Sequence, residues 1–238
     1  MKKQIPNLIT LCNLLCGVLS VWSATSDTPV LGMPPLTAAA GFIMLGIFFD
    51  FFDGMTARLL GVASPVGKEL DSLADVITSG IAPAFILFYI LVGHPMAWLK
   101  FIAFLIPTFA AYRLAKFNLD ERQHHSFLGL PAPANALIWA GLGICYDLNT
   151  PAVFEGSWLI IWAILSLITG FLMISEMPMF SLKFNFRKMD WKTNKTQYCF
   201  LIGCLILILI FRIFALPLII LWYAIMSRLC CRKEEIHE

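Results

Sequence analysis

Four aspartates lie in two segments predicted to span a membrane, and they come in two pairs. Asp50 and Asp53 are three residues apart in FFDFFDGMTARLLG, and Asp71 and Asp75 are four apart in GKELDSLADVITSG. Residues with these spacings share one face of a helix. Carboxylate oxygens are the ligands that Mg²⁺ and Mn²⁺ prefer, so two converging pairs predict a metal site.

Aspartates inside a membrane are costly. Each costs roughly 2.5–3.5 kcal/mol near the bilayer centre, so four uncompensated ones would cost on the order of 10 kcal/mol. Two metal ions about 3.5–4 Å apart would form a clamp for phosphoryl displacement. A cation or proton pathway is the alternative that the residues alone leave open.

The elements that carry these aspartates belong to a membrane protein. The 238 residues are 59% hydrophobic and only 13% charged, with a mean hydropathy of +0.81. We expect an all-α polytopic bundle of about eight transmembrane helices, forming one membrane domain over residues 1–238. Within it, we expect a catalytic core at 1–147 and additional helices at 148–238. The predicted spans are 7–25, 36–60, 68–92, 96–116, 132–147, 155–174, 197–213 and 215–230. The last two are expected to form a tight helical hairpin, with one long kinked helix as the alternative.

The basic residues indicate an orientation. With eight crossings and a cytoplasmic amino terminus, all 17 lysines and arginines except Lys100 and Arg212 lie on the cytoplasmic side. This follows the positive-inside rule, so both termini and the aspartates are expected there. A cleaved signal peptide ending near Ser23 and Ala24 is the alternative. The net charge of +2, without a basic stripe, argues against nucleic acid as a partner.

Further polar residues are expected on the same side. Asn7 and Thr10 are predicted to line a nucleotide site, and helix capping is the alternative for Asn7. Arg58 is predicted to hold a phosphate or to pair with an aspartate. The seven cysteines lack ligand spacing and are interpreted as core residues.

A third set of polar residues ends the fourth span. Arg113, Lys116 and Asn118 are expected to hold the carboxylate of an acceptor, or the two bases anchor the helix at lipid headgroups. Residues 126–135 are predicted to form a rigid lip over the site. Segment 181–195, with mixed bases and aromatic residues, suits the headgroup layer or a solvated loop.

The acidic segment resembles the motif of the CDP-alcohol phosphatidyltransferase family, D-x2-D-G-x2-A-R-x8-G-x3-D-x3-D. Every position is present, as Asp50, Asp53, Gly54, Ala57, Arg58, Gly67, Asp71 and Asp75. This match at fixed gaps favours an enzyme over a transporter. The resemblance implies that the four aspartates bind Mg²⁺ or Mn²⁺, with two ions expected, and that Asp75 is also the catalytic base. The residues expected to bind CDP are Asn7, Thr10, Asp50, Gly54, Ala57, Arg58, Gly67 and Asp71.

Segments IPNLITLCNLLCG, ELDSLADVITSGIAPA, YRLAKFN and SFLGLPAPANA are similar to the phosphatidylserine synthase branch of this family. The branch implies CDP-diacylglycerol and L-serine as substrates, with Arg113, Lys116 and Asn118 binding serine. Glycerol 3-phosphate or an inositol phosphate is the alternative acceptor. A bacterial inner membrane, an active site facing the cytoplasm and a homodimer are also expected, although no span has a decisive GxxxG face.

Overall fold

The computed structural model describes residues 4–62, 64–93, 95–119, 127–148, 154–179 and 195–234, and these are almost entirely helical. A π-helical segment spans Val76–Ile81, and 3₁₀ segments span Leu99–Phe104 and Arg212–Phe214. Strands β1 (Phe127–Leu128) and β2 (Pro178–Met179) form a short antiparallel pair. The helices are α1 (Ile5–Ala24), α2 (Pro35–Leu60), α3 (Pro65–Asp75), α4 (Ala82–Leu91), α5 (Leu105–Leu119), α6 (Ala132–Asp147), α7 (Trp158–Ile174), α8 (Lys195–Phe211) and α9 (Ala215–Glu234).

Among the described residues, three helical stretches are long and apolar enough to cross a membrane, namely Ile5–Ala24, Pro35–Leu60 and the continuous Pro65–Leu91. Shorter apolar helices are Trp158–Ile174, Thr196–Phe211 and Ala215–Leu229. Their outer faces expose large apolar side chains, which lipid covers without the cost that water would impose. The predicted all-α membrane bundle is confirmed. The number of crossings, the side of the termini and the division at residue 147 stay predictions.

The last two helices form a hairpin, as the sequence predicted. The chain reverses at Arg212, whose φ is 48°, and α8 packs along α9. Gly203 on α8 lies against the indole ring of Trp222 on α9. Both residues are nearly the same distance along the chain from the turn at Arg212. A single kinked helix, the alternative, is therefore wrong.

Close approach of α1, α2 and the π-helical segment fixes the region behind the aspartates. A Cβ on Gly17 would lie 2.6 Å from Thr78 Oγ1, and one on Gly46 would lie 2.5 Å from Thr78 Cγ2. Thr78 Oγ1 also donates a hydrogen bond of 3.0 Å to the backbone oxygen of Asn13. Glycine on both helices is required because small residues let membrane helices pack backbone to backbone.

The opposite end of the bundle is held by an acid at a helix start. Asp147 Oδ2, at the end of α6, accepts hydrogen bonds from the backbone N–H of Thr37 at 2.6 Å and from its hydroxyl at 2.8 Å. A negative charge is stabilised at the first turn of a helix, here α2. The contact places the end of α6 beside the start of α2, far from the aspartates at the end of α2.

Candidate active site

The turn between α2 and α3 is specified by local sequence. Gly61 ends α2 in the left-handed conformation, with φ of 63°, and its N–H donates to the carbonyl of Arg58. Ser64 then caps α3 by accepting a 3.0 Å hydrogen bond from the N–H of Gly67, and Pro65 occupies the first helical position. The chain therefore reverses sharply, and both acidic helices meet at one end of the bundle.

Three carboxylates converge at this end. Asp50, Asp53 and Asp71 each present one oxygen, and these oxygens all lie within 4.8 Å of one another. Asp53 is buried, and the other two are half-buried. The buried Oδ1 of Asp71 has no hydrogen-bond partner among the described residues. Within the same part of the chain, none of the three carboxylates forms an ion pair with a lysine or arginine.

Such a group is unfavourable without a cation, because neighbouring carboxylates repel one another when they are charged. Hard oxygen donors, one of them buried without a partner, fit a divalent ion. These three residues could therefore hold a metal. The structure brings them together as the sequence predicted.

Helix α1 supports the acidic residues from a third side. Thr10 Oγ1 donates to Asp53 Oδ2 at 2.5 Å, and Asn13 Nδ2 donates to Asp75 Oδ1 at 3.4 Å. Both donors are buried. Helix α1 packs along α2 and α3, whereas α2 and α3 are in much less direct contact with each other. The sequence predicted that the two acidic faces meet. It did not predict the contact of Asn13 with Asp75, or that α1 holds the two faces together.

Asp75 is not among the three carboxylates whose oxygens lie within 4.8 Å of one another, although it is close enough to Asp50 and Asp71 for their charges to interact. It is 8% exposed, and it is close enough to the guanidinium of Arg113 for the two charges to interact. It belongs to the last turn of α3, immediately before the π-helical segment. Its roles as a metal ligand and as a base stay predictions.

A cavity opens beside the cluster between the ends of α1, α2 and α3. Seven of the eight residues predicted to bind CDP line it, and Asp50 does not. Ser64 and Lys68 also line it and were not predicted. The seven are Asn7, Thr10, Gly54, Ala57, Arg58, Gly67 and Asp71.

Two alternatives for the cavity residues are wrong. Asn7 is not a helix cap, because α1 begins at Ile5 and Asn7 lies inside its first turn. Arg58 pairs with no aspartate within the described chain, and its Nε donates instead to Gly54 O at 3.0 Å. A Cβ on Gly54 would meet only Arg58, at 3.7 Å, so helix packing does not require that glycine.

The residues predicted to bind the acceptor are placed differently from one another. Arg113 is 8% exposed and lies over the ring of Phe117, so it does not extend to the headgroups. Lys116 is bonded to Glu176, with 3.0 Å between Nζ and Oε1. Asn118 lies farther along, where its Nδ2 donates to Ser72 Oγ at 2.8 Å. Only Arg113 and Lys116 line a common cavity.

The predicted lip is a rigid buried connection within residues 127–135. Gly129 has φ of 73°, and its N–H donates to Met177 O at 2.9 Å. Leu130 is 1% exposed, and its N–H donates to Leu172 O at 3.0 Å. The segment is thus fastened to the end of α7, and Leu128 lines the cavity beside Arg113. The headgroup segment predicted at 181–195 lies outside the described residues except for the backbone of residue 195.

A bundle of apolar helices with a carboxylate cluster and a polar cavity at one end defines an integral membrane protein with a buried polar site. The chain belongs to the CDP-alcohol phosphatidyltransferase family, whose model matches residues 3–173. It is therefore an enzyme, and the family expected from the motif is confirmed. The transport alternative is wrong.

Curated relatives cover most of the chain. It is 30% identical to the CDP-diacylglycerol–serine O-phosphatidyltransferase of Mycobacterium leprae, over 98% of this chain and 74% of the relative. It is 31% identical to the enzyme of that name from Helicobacter pylori, over 90% of this chain and 82% of the relative. The Bacillus subtilis enzyme of that name is 34% identical, over 60% of this chain and 77% of the relative.

Proposed function

We propose that the chain transfers the phosphatidyl group of CDP-diacylglycerol to the hydroxyl of L-serine, giving phosphatidylserine and CMP. The choice of donor and acceptor is supported by the shared name of the relatives. The observation that carries the chemistry is a cavity lined by two carboxylates of the cluster, Asp53 and Asp71, together with the bases Arg58 and Lys68.

The cavity suits the nucleotide end of the lipid. Arg58 and Lys68 line the cavity and would bind phosphate by exchanging their bonds to the backbone oxygens of Gly54 and Asn118. The open space at Gly54 would let a flat ligand approach the backbone of α2. Asp50, Asp53 and Asp71, joined by Asp75, would hold one or two Mg²⁺ or Mn²⁺ ions. When bound, such ions neutralise the pyrophosphate and polarise its phosphorus.

Asp75 is assigned as the general base. It takes the proton from the serine hydroxyl, and the hydroxyl oxygen attacks the phosphorus attached to the diacylglycerol. A bond forms between that oxygen and phosphorus, the bond to the CMP oxygen breaks, and CMP departs with the electron pair. Asn13 orients the carboxylate of Asp75, and Arg113, whose charge interacts with that of Asp75, binds the serine carboxylate.

The site is proposed to face the cytoplasm from a bacterial inner membrane. The three relatives named above are bacterial. The distribution of lysine and arginine favours the cytoplasmic side for the site. The acyl chains then stay in lipid while serine and CMP exchange with water. A homodimer remains a prediction.

The test is CMP release from CDP-diacylglycerol by the purified protein in detergent. L-serine, glycerol 3-phosphate and an inositol phosphate are supplied in turn, with and without a chelator, and Mg²⁺ or Mn²⁺ is then restored. We expect release with serine only, lost on chelation and recovered with metal. Release with a phosphorylated alcohol but not with serine would refute the acceptor.

Asp75→Asn tests the base. The amide keeps the size of the side chain but cannot accept the proton, so turnover should fall by roughly 10²- to 10⁴-fold. Thermal unfolding in detergent should be unchanged within a few degrees. Asp27→Asn, the same change at an exposed loop aspartate, is the matched control and should retain wild-type turnover. Near-normal turnover in Asp75→Asn would refute the assignment.

A further inference from the structure

A second group of charged side chains surrounds a small cavity at the ends of α5 and α7. Arg113, Lys116 and Ser175 line this cavity. Glu176 follows Ser175 in the chain and is bonded to Lys116. Arg113 interacts in turn with Asp75. The charged groups therefore run from the proposed base, through two cations, to an exposed acid.

We infer that Glu176 binds the ammonium group of the serine acceptor, while Arg113 and Lys116 bind its carboxylate. The inference rests on the proposed function and adds to it the residue that selects an amino acid. Two cations line the cavity, and Glu176, which is paired with one of them, adds an anion next to it; this set of charges complements a zwitterion. An acceptor bearing a phosphate lacks the ammonium group and would be repelled by Glu176.

The buried guanidinium of Arg113 has one nitrogen without a hydrogen-bond acceptor, and a ligand would supply that acceptor. Arg113 is 8% exposed, and its Nε has no hydrogen-bond partner among the described residues. Buried donors in proteins are almost always satisfied, so an unpaired guanidinium nitrogen beside a cavity indicates a bound acceptor atom. A carboxylate is the acceptor that a guanidinium binds best.

The cavity has a volume of about 10 Å³, roughly enough for one water molecule, so the bond between Lys116 and Glu176 must open to admit serine. The two side chains are 33% and 60% exposed, and ion pairs in such positions contribute little to stability. When serine enters, Lys116 exchanges the Glu176 carboxylate for that of serine, and Glu176 exchanges the lysine ammonium for that of serine. The pair between Lys116 and Glu176 is thus replaced by two pairs with serine, and the contact of Arg113 with the serine carboxylate adds a third.

The test is the kinetics of full-length Glu176→Gln with L-serine, inhibited by 3-hydroxypropionate. This inhibitor has the carboxylate and hydroxyl of serine but no amino group. The KM for serine should rise about tenfold, as for the loss of one charge-assisted hydrogen bond, with kcat within about twofold. The inhibition constant of 3-hydroxypropionate should not rise, because its carboxylate keeps both cations. Glu176→Asp, which keeps the charge, should recover part of the serine affinity.

Glu155→Gln is the matched control, since Glu155 is an exposed glutamate before the start of α7, at the other end of that helix. It should have wild-type constants. An equal weakening of serine and 3-hydroxypropionate by Glu176→Gln would overturn the inference, because it would mean that Glu176 only positions Lys116. An unchanged KM for serine would overturn it too. The activity of the wild type with serine is measured first. If the wild type does not use serine, the proposed function itself is refuted.

Discussion

Replacement of Thr10 by valine tests whether α1 holds the carboxylate cluster. The hydroxyl of Thr10 has one proton and two acceptors within reach, Asp53 Oδ2 at 2.5 Å and Pro6 O at 3.1 Å. The shorter contact is to the charged group, so the proton goes to Asp53. Valine keeps the shape of threonine and removes only this hydrogen bond.

The size of the effect follows from the burial of the pair. Thr10 is 3% exposed and Asp53 is 5% exposed, so water does not readily replace the lost donor. A hydrogen bond to a charged group contributes about 1.5–3 kcal/mol. Mutation of a group that orients a metal ligand typically lowers metal affinity or activity by about 10- to 100-fold. We therefore expect the metal concentration for half-maximal activity to rise about 10- to 100-fold in Thr10→Val.

The assay is CMP release at saturating CDP-diacylglycerol and serine, titrated with Mg²⁺ or Mn²⁺. At saturating metal, kcat should return to within a few fold of wild type, because the chemical groups are intact. Thr10→Ser keeps the hydroxyl and should match the wild-type metal titration. A lower kcat with an unchanged metal titration would refute the reasoning, since Thr10 would then act on the substrate rather than through Asp53.

Two further changes test the scaffold. Gly129→Ala should lower the unfolding temperature in detergent by several degrees, because the residue has φ of 73° and its Cβ would lie 2.6 Å from Met173 O. Unfolding at the wild-type temperature would contradict that geometry. Asp147→Asn should cost about 1–2 kcal/mol of stability while leaving kcat unchanged, because it removes the negative charge bonded to Thr37 at the start of α2. A loss of turnover in the folded Asp147→Asn variant would show that the two ends of the bundle are coupled.

Much of the site could be predicted because a membrane makes acidic residues conspicuous. The clustering of Asp50, Asp53 and Asp71 followed from helical spacing and from the reversal near Gly61, which are local properties of the sequence. The bundle followed from hydropathy in the same way. Contacts between helices that are distant in the chain were not predicted, and the bond between Lys116 and Glu176 is one of them.

The sequence of α1 contains a pattern that identifies the face supporting the carboxylates. Thr10, Asn13, Gly17 and Ser20 follow one another at intervals of three or four, and all four are buried. The apolar residues between them, such as Leu8, Leu11, Leu15 and Val18, are exposed. A helix in lipid turns its polar and small face inward, so this stripe identifies the inner face of α1. The stripe cannot identify the partner of each member, because a rotation of α1 by part of a turn would bring different donors to the carboxylates. That rotation is fixed at Gly17 and Gly46, where the π-helical segment approaches both helices. The contact of Asn13 with Asp75 therefore depends on packing a full turn away from the charged groups.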